Sequence, residues 1–329
     1  MNLILLAAAV IVGWLLRRSV ATRIERASLL SLPPGPDGII PGAQSIDRRA
    51  AAGRAVLILH GFGDTPQTVS YLAEHLHGLG FTVRAPLLAG HGRTLREFGV
   101  STADAWIDAA ARELSALRRE YDAIGLVGLS MGGALSVILA ADAGRRGNAS
   151  VNGAAAARDA DRLLDERGRA DRVRQPDAMV LIAPYLSMRS PARRLAAMHW
   201  AVSLFVRYLM SREEASIRDE VERKSNRGFG TVTPRLLNEL QRLVWRARRS
   251  LADVTAPTLV IQSRDDNRIE AGEATQAFES LGAREKRFEW TEGGGHVITV
   301  DRGRERVFAL TGEWLLARVG IDASSTPSP

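Results

Sequence analysis

The stretch from Ala123 to Ala143 constrains the fold more than any other part of the chain. It begins as an uninterrupted apolar run, AIGLVGL, passes through SMGG, and continues as a helical pattern over Gly133–Ala143. A short apolar run bounded by glycine reads as a strand buried on both faces, which requires paired neighbours and covering helices. Gly128, Ser130 and Gly132 stand at the junction as G-x-S-x-G. On a sharp strand-to-helix turn, side chains two residues either side of the serine would collide, so glycine is needed there. The turn leaves the serine hydroxyl exposed at the end of the sheet. Ser130 is therefore the candidate nucleophile.

The rest of the chain supplies the neighbours that such a strand needs. Further strands are expected at Ala55–His60 (AVLILH), Phe81–Ala85, Ala178–Ala183 (AMVLIA), Pro257–Gln262 (PTLVIQ) and Lys286–Trp290. Between them, apolar residues recur with the 3.6-residue period of amphipathic helices over Val69–Leu79 and Ala103–Tyr121, and again over Arg304–Val319. Alternating strands and helices call for an α/β fold whose mostly parallel central sheet carries helices on both faces. Ligands of such sheets bind at the carboxyl ends of the strands.

The expected organisation is a hydrophobic anchor with a basic flank over 1–26 and a Pro- and Gly-rich linker over 27–53. A first part of the core follows over 54–184, then a helical cap over 185–250, the second part of the core over 251–320, and a tail over 321–329. Gly144–Asp177 interrupts the core with Ala, Arg, Asp and Gly and few large apolar residues, which reads as a mobile insertion. The cap is marked by helical apolar spacing in Leu195–Met210 and Leu236–Trp245, and is read as lying after a strand rather than between paired ones.

A serine hydroxyl is a weak nucleophile at neutral pH and needs a histidine base, itself held by a carboxylate. Of six histidines, His296 lies in the glycine-rich EGGGHVITV just past the last expected strand, where a loop can swing an imidazole over the serine. The acid is expected after PTLVIQ, in SRDDNRIE, where spacing does not choose between Asp265 and Asp266. Two backbone N–H groups must receive the negative oxygen of a tetrahedral intermediate. Met131 supplies one. Phe62, between two glycines in HGFGD after the strand AVLILH, is the best candidate for the other, and both side chains are expected to border the acyl pocket.

HGFGDTP, PLLAGHG, GLSMGG, QSRDDNRI and GGGHVIT, in this order over Arg54–Val319, resemble the α/β-hydrolase family of bacterial carboxylesterases and monoacylglycerol lipases. The resemblance implies ester hydrolysis through an acyl-serine, with no metal or organic cofactor, on a small-molecule or lipid ester. It favours Asp266 as the acid, since the family's aspartate is followed three residues later by an aliphatic position, here Ile269. It also implies Phe62 as oxyanion donor, a structural His91, and a small cap between the sixth and seventh strands. The chain departs from the family in its N-terminal segment, in the Arg-rich insertion, and in Arg268 where an apolar residue is usual. Two rivals share these residues: transfer of the acyl group to another alcohol or thiol, and a non-catalytic binding protein on the same fold. The second is disfavoured because every expected catalytic element is readable.

Composition narrows what remains. Without cysteine there is no disulfide framework and no catalytic thiolate. The charge of +7 is almost all arginine, yet no nucleic-acid-binding signature accompanies it and aromatics are only 5%, so no nucleic acid partner is expected. Leu3–Leu16 is an uncharged apolar run of about 14 residues, short of the roughly 20 that span a bilayer, and Arg17 and Arg18 follow at once. An uncleaved membrane anchor with the catalytic domain on the cytoplasmic side is expected, a cleaved export signal being the alternative.

Overall fold

The computed structural model describes residues 3–153, 174–210 and 216–320. In chain order, helix α1 (Leu3–Ser31) is followed by strands β1 (Ile46–Arg48) and β2 (Arg54–Leu59), helix α2 (Ser70–Gly78) and strand β3 (Thr82–Ala85). Helices α3 (Leu95–Val100) and α4 (Ala103–Glu120) lead to β4 (Ala123–Leu129), α5 (Met131–Gly153) and β5 (Ala178–Ile182). Next come α6 (Ser190–Ala197), α7 (His199–Phe205), β6 (Leu209–Met210), α8 (Glu220–Ser225), β7 (Thr231–Val232) and α9 (Pro234–Arg249). The chain closes with β8 (Thr258–Ser263), α10 (Ala271–Glu279), β9 (Lys286–Thr291) and α11 (Arg304–Leu316).

Seven strands form the main sheet in the order β1-β3-β2-β4-β5-β8-β9, all parallel except β1, which pairs antiparallel with β3 at the edge. Core residues of β2, β4 and β5 point alternately to the two faces. Leu57, Leu59 and Leu126 join the core on the side of α4, α5 and the cap, whereas Val56, Ile58 and Val127 join that of α2 and α11. The chain moves outward from β2 to β3, then returns to place β4 on the other side of β2. That reversal is a topological switch point, and it opens a crevice at the carboxyl ends of β2 and β4.

Three expectations are corrected here. The stretch 27–53 is not a free linker: α1 continues to Ser31, Ile40 and Ala43 are buried, Ile40 N–H donates to Gly92 O (2.8 Å), and β1 extends the sheet. Turn-rich sequence here reflects close packing against the GHG turn. The cap does lie between paired strands, because β5 and β8 are adjacent and parallel, the fifth and sixth of the described sheet strands. Within it, the stripe Leu195–Met210 is two short helices, after which Leu209 pairs with Val232 and turns the chain back over the sheet ends. Most of the Arg-rich insertion and the whole tail lie outside the described residues. What is described shows α5 running on to Gly153, and Gln175 at the far side accepting from Thr255 and Ala256 N–H (2.9 and 2.8 Å).

Candidate active site

Ser130 follows directly on β4 with φ 53°, a left-handed conformation that costs a non-glycine residue about 1–2 kcal/mol. The surroundings hold it there. Ser130 N–H donates to Ile182 O at the end of β5 (2.9 Å), and Ser130 O accepts from Gly133 (2.9 Å) and Tyr185 N–H (3.0 Å). The two flanking glycines are needed for the reason read from the sequence. A Cβ on Gly128 would stand 2.3 Å from Gly132 O, and one on Gly132 would stand 2.0 Å from Leu59 O.

His296, in the loop after β9, places Nε2 2.7 Å from Ser130 Oγ. Its Nδ1 lies 2.8 Å from Oδ2 of Asp266, which follows β8. The carboxylate fixes the tautomer: Nδ1–H donates to Asp266, leaving Nε2 to accept the serine proton. The Asp266 side chain is buried, with four hydrogen bonds to satisfy it. Oδ2 also accepts from Gln262 Nε2 (2.7 Å), and Oδ1 from Arg268 and Ile269 N–H (2.7 and 3.0 Å). Burial alone would raise its pKa, but the charge and hydrogen bond of His296 and the two backbone donors outweigh that and lower it. Asp265 faces elsewhere, accepting from Gly293 N–H (2.9 Å) and pairing with Arg218 (3.3 Å).

The loop HGFGD lies against the serine, where a Cβ on Gly61 would be 3.4 Å from Ser130 Cβ. Gly63 takes φ 75°, and its carbonyl accepts from Phe229 N–H of the cap at 2.7 Å. Met131 N–H opens α5, where the first turn leaves donors free. Among the described residues, neither Phe62 N–H nor Met131 N–H donates to a backbone carbonyl. Beneath the loop, His60 and His91 are fully buried. Leu88 N–H donates to His60 Nε2 (3.1 Å), so His60 Nδ1–H points to Gly61 O (2.9 Å), and burial pushes the His60 pKa down to about 4. Burial, reinforced by His60, likewise lowers that of His91, whose ring packs edge-on to Phe98 and Trp106.

Ser130 and His296 open into a cavity of about 400 Å³ under the cap. Its apolar wall includes Phe62, Leu195, Leu209, Phe229 and Leu240, and its polar margin Asp64, Arg223, Asn226 and Arg268. Arg268, the departure noted in the sequence, is thus a wall residue, with Nε donating to Ser216 Oγ at 2.9 Å. The Met131 side chain does not border the cavity as expected; it is buried in the core. Sequence reasoning missed Gln262 and the anchoring by Asp265, and gave no sign of Asp301, which is buried beside the histidine loop and accepts from Gly295 N–H at 2.7 Å.

The chain is 26% identical over 263 residues to a carboxylesterase of Bacillus subtilis (strain 168), spanning 80% of this chain and 92% of that protein. It is 24% identical over 265 residues to a thermostable monoacylglycerol lipase of Bacillus sp. (strain H-257), spanning 80% and 91%. Among solved structures, one from work on LipS and LipT, two metagenome-derived lipolytic enzymes, superposes with a TM-score of 0.70 at 26% identity, covering 85% of this chain and 100% of that one. The model of the family described as serine aminopeptidase, S33, matches residues 50–303, from just before β2 to beyond the histidine loop. The chain belongs to that family, on the α/β-hydrolase fold.

Proposed function

We infer that this protein is a carboxylic ester hydrolase of the carboxylesterase or monoacylglycerol lipase type, with Ser130 as nucleophile, His296 as general base and Asp266 as its orienting acid. One observation carries the reading: the continuous hydrogen-bonded line Ser130–His296–Asp266, at 2.7 and 2.8 Å, on the floor of a largely apolar cavity. The carboxylesterase and monoacylglycerol lipase relatives support the ester as substrate class. His296 Nε2 takes the proton as Ser130 Oγ attacks the ester carbonyl, and Asp266 stabilises the imidazolium so formed. Phe62 and Met131 N–H receive the oxyanion, each donor being worth roughly 3–4 kcal/mol of barrier. The imidazolium then protonates the departing alcohol, and water, deprotonated by His296, releases the acid from the serine. The largely apolar lining of the cavity suits an acyl group. Turnover of p-nitrophenyl and monoacylglycerol esters of rising chain length tests the reading. Hydrolysis across the panel, lost in Ser130→Ala, is expected; no hydrolysis of any member contradicts it.

We further propose that α1 brings the enzyme to a membrane surface, with the catalytic domain on the cytoplasmic side, where the anionic leaflet attracts the arginines after Leu16. Among the described residues no helix is long and apolar enough to cross a membrane. The helix nevertheless exposes Ile11, Val12, Leu15 and Leu16, and the neighbouring α7 exposes Trp200, Leu204 and Phe205. Glu25 ties α1 to the domain through Tyr208 Oη (2.7 Å), Arg207 (3.2 Å) and Arg96 (3.2 Å), and Ala21 is buried. Cleavage after the basic flank would discard these contacts, which favours an uncleaved segment. Deleting residues 1–16 keeps them. That variant is expected to leave the membrane fraction with short-ester turnover intact, while the full chain sediments with membranes and loses long-chain turnover on anionic vesicles as salt rises. A truncated protein that still sediments with membranes contradicts the role of α1.

A further inference from the structure

We propose that Asp301 is a positioning residue for His296, acting together with a strap of cap backbone, Ser216–Asp219, that joins the histidine loop to the acid loop. This rests on the reading of His296 as the base. Asp301 is 2% exposed, and its carboxylate accepts four backbone N–H groups. Oδ2 takes those of Gly295 (2.7 Å) and Arg218 (2.8 Å); Oδ1 takes those of Asp219 (2.9 Å) and Arg302 (2.8 Å). One side chain therefore holds the residue immediately before His296 and two consecutive residues of the cap.

The strap secures the other side as well. Val297 N–H, immediately after His296, donates to Ser216 O at 3.0 Å. Ser216 Oγ accepts from Arg268 Nε, two residues past Asp266, and Arg218 pairs with Asp265, whose carboxylate holds Gly293 N–H. The backbone on both sides of His296 is thus fixed to the segment that also touches the Asp266 loop. Bonds to an ionised acceptor are short and directional, so the set specifies loop position more tightly than the glycine-rich sequence would alone. Ser216 and Ile217 also line the cavity, which places the strap in reach of a bound acyl chain. The four hydrogen bonds of the Asp301 carboxylate all go to backbone N–H groups of the loop and the strap. Its effect falls on the alignment of Nε2 with Ser130 Oγ, where about 1 Å of displacement costs on the order of 100-fold in rate.

The test compares wild type, Asp301→Ala and Asp301→Asn by p-nitrophenyl acetate kinetics, fluorophosphonate labelling rate, and the low-field proton resonance of His296 Nδ1–H. In Asp301→Ala, kcat and labelling rate are expected to fall about 10- to 100-fold with KM changed less than about threefold, and the resonance to broaden away. Asp301→Asn keeps one carbonyl acceptor and turns an amide NH₂ toward the other pair of donors. It is expected to fall between the two, with the resonance retained. A folded Asp301→Ala protein with wild-type kcat and labelling rate, or with its whole loss in KM, overturns the proposal. If the alanine variant does not fold, Asp301→Asn decides: wild-type kcat and an unchanged resonance overturn it. Failure of the wild type itself to label would instead remove the reading of Ser130 on which the proposal stands.

Discussion

At the scale of single residues, the adjacent aspartates divide two tasks that sequence spacing could not separate. Asp266 orients the imidazole, while Asp265 anchors the loop that carries it. Asp266→Asn is expected to lower kcat about 10⁴-fold by stabilising the wrong tautomer, whereas Asp265→Asn costs far less; steady-state kinetics with the order reversed would contradict the assignment. The buried His60 makes a second claim. An imidazole held neutral by burial contributes stability that is complete above its ordinary value of 6.5 and is lost as pH falls toward about 4, in total about 3 kcal/mol. Its NMR resonances should therefore stay unshifted from pH 8 down to pH 5; a midpoint near 6.5 would contradict the burial argument. Ser130 and His296 were legible because the backbone around each demands glycine in a visible pattern. Gln262 and Asp301 were not, since their partners are backbone groups and side chains brought close only by folding.

At the scale of elements, the step from β4 to α5 stores strain in one residue. Ser130 holds φ 53°, where glycine rests without cost and alanine does not. Ser130→Gly should therefore be more stable than Ser130→Ala by about 1 kcal/mol, or about 2 °C in Tm for a chain of this size. Equal Tm values would mean that the turn relaxes once the hydroxyl is gone. The inner strands were readable because β2, β4, β5 and β8 are buried along nearly their whole length, and their sequences show it as continuous apolar runs. The edge strand β1, with the sequence IDR, and the two-residue β6 and β7 are too short for any alternation to show. Their place is set by pairing with β3 and with each other rather than by composition.

At the scale of the molecule, the site is assembled where the sheet order reverses. Phe62 follows β2, Ser130 follows β4, Asp266 follows β8 and His296 follows β9, so four strand ends converge on one cavity while the cap closes it from above. The α/β architecture and this convergence were legible from the order of motifs. The docking of α1 and of 27–53 onto the domain was not, because helix and turn signals state local conformation and say nothing of what the segment packs against. The most direct test of the account is to label the full chain with a fluorophosphonate and map the adduct by peptide mass spectrometry. A single adduct on Ser130, formed slowly in His296→Ala and absent in Ser130→Ala, is the predicted result; an adduct on another residue, or one that survives in Ser130→Ala, would contradict it.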